Sequence, residues 1–290
     1  MNLNCINTNI YKKPYIKFGQ KIQIQKGISA FPFKAEDISA EQKFNSIISP
    51  WELKSYYESA GKYFGIDFLP KLNLITKYHK GWACGYNFKD NVINMNISDL
   101  LLCEYKILGK KNEKIIPLII SKNKLPMFSS KEITEEYVKD ASTKNYYGYD
   151  SMFIMPLSKK DKQRYIIQRL VHELIHAQQQ MILRQTEGIG EKAIFKAWFH
   201  YIPKNNTEEK ILSEMTEKKF KKSFWASKNP ATSVIKKDSE LGKSARKWFK
   251  AIQNYSGDTN SAEYEANELE KDANLRAAKY VRMLFGPLIA

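Results

Sequence analysis

Histidine and cysteine are scarce in this chain, with four and three copies in 290 residues. Cys5, Cys84 and Cys103 are scattered and odd in number. That excludes a disulfide framework and fits a reducing compartment. The longest apolar run, residues 115–120, falls far short of the roughly 20 residues that span a bilayer, so no membrane span is expected. The opening MNLNCINTNIYKK has no apolar core of a signal peptide. The expected location is therefore the cytoplasm of the producing cell, with export by a specialised secretion system left open. No internal repeat and no long Gly/Ser linker breaks the chain, and 13% aromatic residues argue against disorder.

Acidic residues are also in deficit. Against 47 Lys and Arg stand 31 Asp and Glu, a net charge of +16. The excess is densest in residues 204–250, where 13 basic side chains meet 6 acidic ones. Such a balance favours an acidic protein or another anionic surface as partner. Nucleic acid is disfavoured because no nucleic-acid motif accompanies the charge. A lysine-rich solvated surface is the plain alternative.

What is present is a sequence of mixed elements. Residues 1–45 are read as an N-terminal arm or edge-strand segment, with alternation in KIQIQ. Residues 46–290 are read as one domain with a basic insert at about 185–257. Ser49-Pro50 opens a helix with Leu53, Tyr56, Tyr57, Ala60 and Phe64 at helical spacing, and Gly65 ends it. LNLITKY and NVINMNI read as strands joined through GWACGYNFKDN. KIIPLIIS reads as a strand that its proline confines to an edge, and DSMFIMP as another. Ser158 and Asp161 then form a capping box for a helix reaching about residue 183. Its expected buried face is Ile167, Leu170, Val171, Leu174 and Met181. A last helix covers about residues 261–285. The order predicts an α+β fold.

Two of the four histidines stand in VHELIHAQQQ, as H-E-x-x-H. Residues four apart share a helix face, about 5–6 Å apart between Cβ atoms. His172 and His176 can therefore offer two imidazole nitrogens to one Zn²⁺. Tyr165, Arg169 and Gln179 fall on the same face, which predicts a polar face rather than a core stripe. Glu173 is turned about 100° from His172. It can approach a zinc-activated water as general base without being a ligand. Chance predicts the pattern on the order of once in a few hundred chains of this composition. The competing reading is two histidines on a solvated helix.

A catalytic zinc needs a third protein ligand and one open position. His79 and His200 are available, but the spaced form with a third histidine is absent: Gln179 and Ile182 hold those positions. The last helix offers carboxylates. Glu265, Glu268 and Asp272 align with Arg276 and Lys279, as a solvated ion-pair face would. Glu270 instead aligns with Ala266, Asn267, Ala273, Asn274 and Ala277. A lone carboxylate among small residues suits a helix that crosses another closely, so Glu270 is the expected third ligand. Glu268 is the runner-up, and Glu263 shares the Glu270 face. Tyr264, Tyr255 and His200 are candidates to stabilise an oxyanion. Cys5 is a candidate inhibitory thiolate, with an idle cysteine the simpler reading.

HELIHA followed by glutamines, with a later N-x-x-E-x-x-A helix, resembles the gluzincin zinc metallopeptidases, nearest to bacterial, phage and toxin-associated members with HELxHxxQ motifs. The specific match covers about 25 residues in two segments. It implies a zincin-like fold: a small twisted sheet, an active-site helix beneath its edge strand, and a C-terminal ligand-bearing helix. It also implies His172, His176 and Glu270 as zinc ligands and Glu173 as base. Residues 93–97 or 150–155 would be the edge strand that pairs with an extended substrate. The chain departs from compact members in placing 93 residues between His176 and Glu270.

The leading expectation is a zinc-dependent endopeptidase acting on a protein or peptide, as an exported effector or toxin in one version. The alternative is a non-enzymatic basic protein, binding nucleic acid or serving in a phage particle, with a fortuitous or structural motif. A third version keeps the fold and exchanges the substrate for a peptidoglycan peptide.

Overall fold

The computed structural model describes residues 38–76, 83–111, 114–121, 151–198, 205–228, 234–255 and 266–286. The KIQIQ stretch lies outside them. Helix α1 (Ile38–Ile47) enters the core through Ala40 and Phe44, so the last residues read as N-terminal arm are helical here. Helix α2 (Pro50–Tyr63) starts at Ser49, whose hydroxyl accepts from the Glu52 amide while the Ser49 amide donates to Glu52 Oε2 at 2.8 Å. This reciprocal cap satisfies two otherwise orphaned donors. Past its end Gly65 adopts φ +63°, a left-handed turn that costs glycine little.

The first sheet holds β1 (Lys71–Ile75), β2 (Cys84–Asn87) and β3 (Val92–Asn96), in the order β1-β3-β2. β3 runs parallel to β1 and antiparallel to β2, with Tyr86 opposite Ile93. The segment expected only to join two strands thus contains a third. Four residues, one of them Gly85, carry too little alternation to announce a strand. The hairpin closes through Asn91 at φ 52°, held by the Tyr86 hydroxyl at 2.9 Å and by its own donation to the Phe68 carbonyl at 3.1 Å. This arrangement corrects one expectation. Residues 93–96 are the central strand and Ile97 starts helix α3 (Ile97–Leu101), so that segment cannot be an exposed edge. The outermost strand beside the motif helix is β2.

A second sheet, antiparallel throughout, contains β4 (Cys103–Lys111), β5 (Lys114–Ser121) and β6 (Ser151–Pro156) in the order β5-β4-β6. Pro117 sits on an outer strand, where its missing donor is harmless. β6, the other candidate for pairing with substrate, is also an outer strand, although Asp150 lies outside the described residues.

Helix α4 (Lys159–Gln185) carries the motif and starts with the expected Ser158–Asp161 capping box. Ile166, Ile167, Leu170, Val171 and Leu174 are buried against Leu72, Leu74, Ile93 and Met95 of the sheet and against α2. The basic insert is not a bare loop. It holds α5 (Glu191–Trp198), α6 (Asn206–Lys221), a 3-10 turn (Phe224–Ser227) and α7 (Glu240–Gln253). Trp225 anchors it. The indole nitrogen donates to the Phe88 carbonyl at 2.6 Å, and Arg184 of α4 lies 4.3 Å over the ring. The insert therefore grips the β2–β3 hairpin and the end of α4 together. The chain closes with α8 (Glu268–Phe285), which lies along α4 and buries Ala273, Ala277, Tyr280 and Val281 in the main core. The architecture is α+β. Among the described residues no helix is long and apolar enough to cross a membrane.

Candidate metal centre

The i, i+4 spacing in α4 brings the two imidazoles together, with Nε2 of His172 and His176 3.0 Å apart. α8 crosses the same face. Ala273 and Ala277, fully buried, remove the bulk that would hold the two helices apart. Glu270 enters through that gap and is 1% exposed. Its Oε2 lies 3.1 Å from His172 Nε2 and its Oε1 3.3 Å from His176 Nε2. Tyr255, just beyond α7, donates to Glu270 Oε1 at 2.9 Å. A buried carboxylate without partners would be costly; this one faces two imidazoles and a phenol. The three side chains form a group that could hold a metal ion.

How α8 reaches this position explains the 93 intervening residues. Asn267 caps α8 by accepting from the Leu269 amide, and its own amide donates to the Ala251 carbonyl of α7 at 3.0 Å. Leu269 packs with Ala245, Trp248 and Ile252 of α7 and with Leu183 of α4. The insert thus carries the ligand helix back to the motif helix.

The competing carboxylates separate. Glu268 is exposed and pairs with Lys271 at 3.3 Å. Glu263, Glu265, Tyr264, His79, His200 and Cys5 lie outside the described residues. Asp272 was expected on a solvated ion-pair face; instead its pair with Arg276, at 3.1 Å, is half-buried and turned toward α4. There Gln179 donates to it at 2.9 Å. The polar face of α4 is likewise not a solvent face: Tyr165, His172 and Gln179 are buried, and only Arg169 is exposed. Tyr255, a candidate oxyanion stabiliser, holds Glu270. The sequence places Gln179 on the histidine face, one helical turn after His176, but assigns it no role there, and it does not single out Gln178.

No protein-family model, curated protein or solved structure matches this chain. Function is therefore read from the geometry of the site itself.

Glu173 is buried but is not one of the three converging groups. It is close enough that its charge raises both His176 and the Cys84 thiol of β2. It therefore lies on the side of the site that β2 borders. Burial works against the charged form of His176. Glu270, by charge and hydrogen bond, outweighs this, with Glu173 and Gln179 adding to it, and the imidazole is pushed up to about 9. Burial likewise opposes ionisation of Glu270, but His176 and His172 hold its carboxyl well below the usual carboxylate range.

These directions predict a pH dependence. A histidine raised in the fold stabilises the metal-free protein fully below its unfolded value of about 6.5, and that stability is lost as pH rises through about 9. The lowered Glu270 contributes above the ordinary carboxylate range, and its contribution is lost in acid. Calorimetry of chelator-treated protein should therefore show its melting temperature falling between about pH 6.5 and 9. A metal must displace the His176 proton, so chelator competition should show affinity rising about tenfold per pH unit over the same interval. A flat profile in both measurements would contradict the assignment.

Proposed function

We infer that the chain is a zinc-dependent endopeptidase with a zincin-like, gluzincin-type arrangement: zinc on His172, His176 and Glu270, and Glu173 as general base. The observation that carries this reading is the buried triangle of two imidazoles and one carboxylate with a second glutamate beside it. A tetrahedral ion with bonds of about 2.0–2.1 Å has ligand atoms about 3.3 Å apart. The two Nε2 atoms stand 3.0 Å apart, and the Glu270 carboxylate reaches each of them with a different oxygen, Oε2 at 3.1 Å from His172 and Oε1 at 3.3 Å from His176, contacts close to that spacing. Two nitrogens and one oxygen suit zinc and leave a fourth position, whereas magnesium and calcium prefer oxygen throughout. A fortuitous pair of histidines would have no reason to be buried opposite a carboxylate.

Zinc bound here would supply Lewis acidity, making a water acidic and polarising a peptide carbonyl. The chain supplies the rest. Glu173 takes the proton of the attacking water and returns one to the leaving nitrogen. Tyr255 orients Glu270 through Oε1. The outer edge of β2 has no partner among the described strands, and an extended peptide adding to it would pass beside Glu173. Cys84 does not compete as nucleophile, because burial and Glu173 push its thiol well above its usual value. The exposed Lys243, Arg246, Lys247 and Lys250 of α7 form one face by their spacing and favour an acidic protein substrate or an anionic surface. Such a peptidase would suit an exported effector or toxin.

Metal analysis of protein purified without chelator tests the reading. About one zinc per chain is expected, lost in His172→Ala together with hydrolysis of a general protein substrate such as casein. Hydrolysis that persists in a zinc-free His172→Ala protein would remove the metal from the reaction.

A further inference from the structure

The three glutamines after the motif are all buried, and two of them, Gln178 and Gln179, bond across to α8. Gln179 is 1% exposed. Its amide nitrogen donates to the Leu269 carbonyl at 3.1 Å and to Asp272 Oδ2 at 2.9 Å, both on α8 or at its start. A backbone carbonyl and a carboxylate can only accept, so they dictate which end of the amide faces them. The other end, Oε1, then faces His176 Nδ1 at 2.8 Å. A carbonyl oxygen cannot donate, so Nδ1 must carry the hydrogen. That leaves the lone pair of the neutral ring on Nε2, the nitrogen that points toward His172 and Glu270.

The chain of bonds continues. Asp272 also accepts from Arg276 at 3.1 Å, and Arg276 donates to Gln178 Oε1, whose amide donates to the Phe64 carbonyl at the end of α2. Three helices are thus tied to one ring nitrogen. His172 has no equivalent: its Nδ1 is buried without a hydrogen-bond partner among the described residues. Among the described residues, outer support is concentrated on a single imidazole.

We propose that Gln179 is a positioning residue for the metal, whose one amide holds His176 as the Nδ1–H tautomer and sets that ligand in register with the helix that brings Glu270. The role rests on the metal reading above. It requires an amide in particular. Alanine would lose both functions, and glutamate would set a second carboxylate against Asp272 and a carbonyl.

Zinc affinity measured by chelator competition, beside the melting temperature of the metal-free protein, tests this on the full chain. Loss of a group that orients a ligand histidine weakens metal binding by about 10–100-fold, and that loss is expected for Gln179→Ala. Gln179→Glu should also bind weakly. The double variant Gln179→Glu/Asp272→Asn should bind more tightly than Gln179→Glu alone, because the new asparagine amide restores a donor between the two positions. A purely structural role would lower the metal-free melting temperature without this rescue of affinity. In ¹⁵N NMR of the zinc-loaded protein, His176 should keep its Nδ1 proton in the wild type. Zinc affinity of Gln179→Ala within about threefold of wild type overturns the role of Gln179 alone. If Gln179→Ala does not fold, failure of the double variant to improve on Gln179→Glu has the same force. A wild-type chain that binds no zinc overturns the metal reading itself, and the proposal with it.

Discussion

Glu173→Gln is expected to lower peptide hydrolysis by about 10²–10⁴-fold while leaving the zinc content unchanged. Glutamine has nearly the same shape as glutamate, so a side chain 7% exposed keeps its packing when the charge is removed. What it loses is the ability to take a proton. Because Glu173 stands outside the group of three converging side chains, the ligand set survives the substitution. The measurement is kcat/KM on a peptide or casein substrate beside metal analysis of the same preparation. Activity within about tenfold of wild type, below the usual worth of a general base, would take Glu173 out of the mechanism. Loss of zinc along with activity would make Glu173 a ligand and not a base. The charge of Glu173 also raises His176 and Cys84.

Glu270→Ala is expected to weaken zinc binding by hundreds-fold. Structural zinc sites with a full ligand set are worth about 10–16 kcal/mol, so one ligand accounts for about 3–4 kcal/mol, or two to three decades in Kd. The variant also removes the partner that holds His176 up to about 9. The fall in metal-free stability between pH 6.5 and 9 should flatten with it. Glu268→Ala is the matched control from the same helix. Its side chain is exposed and paired only with Lys271 among the contacts described for it, so binding should not change and stability should move by no more than about 0.5 kcal/mol. The opposite pattern, with Glu268→Ala losing zinc and Glu270→Ala keeping it, would overturn the assignment of the third ligand. Chelator competition and calorimetry on both variants decide between them.

Much of this site is legible along the chain because its information is local. The Ser49 and Ser158 capping boxes join residues three apart. The edge position of Pro117 follows from a missing donor. The pairing of His172 with His176 needs only the 3.6-residue turn of a helix. Glu270 could be ranked first because its helix face carries small residues, a pattern that signals close approach without naming the partner. The same reasoning failed for Asp272. Periodicity placed it correctly beside Arg276, but an i, i+4 ion pair looks identical in sequence whether water or another helix lies opposite. β2 went unseen for a related reason: four residues with an intermediate burial pattern show no alternation, and only pairing with β3 makes them a strand.

By itself the sequence determined the motif helix, its start, the two imidazoles on one face and the mixed α+β character of the chain, all set by neighbours within a few residues. Tertiary structure decided which carboxylate meets the imidazoles, which strand borders Glu173, and that Gln179 ties His176 to Asp272. Those contacts join residues up to about ninety positions apart. Their register is set by how Ala273 and Ala277 let α8 settle on α4 and by how Trp248, Ile252 and Asn267 seat its first turn. No periodicity within a single segment contains that register, because packing between distant helices creates it.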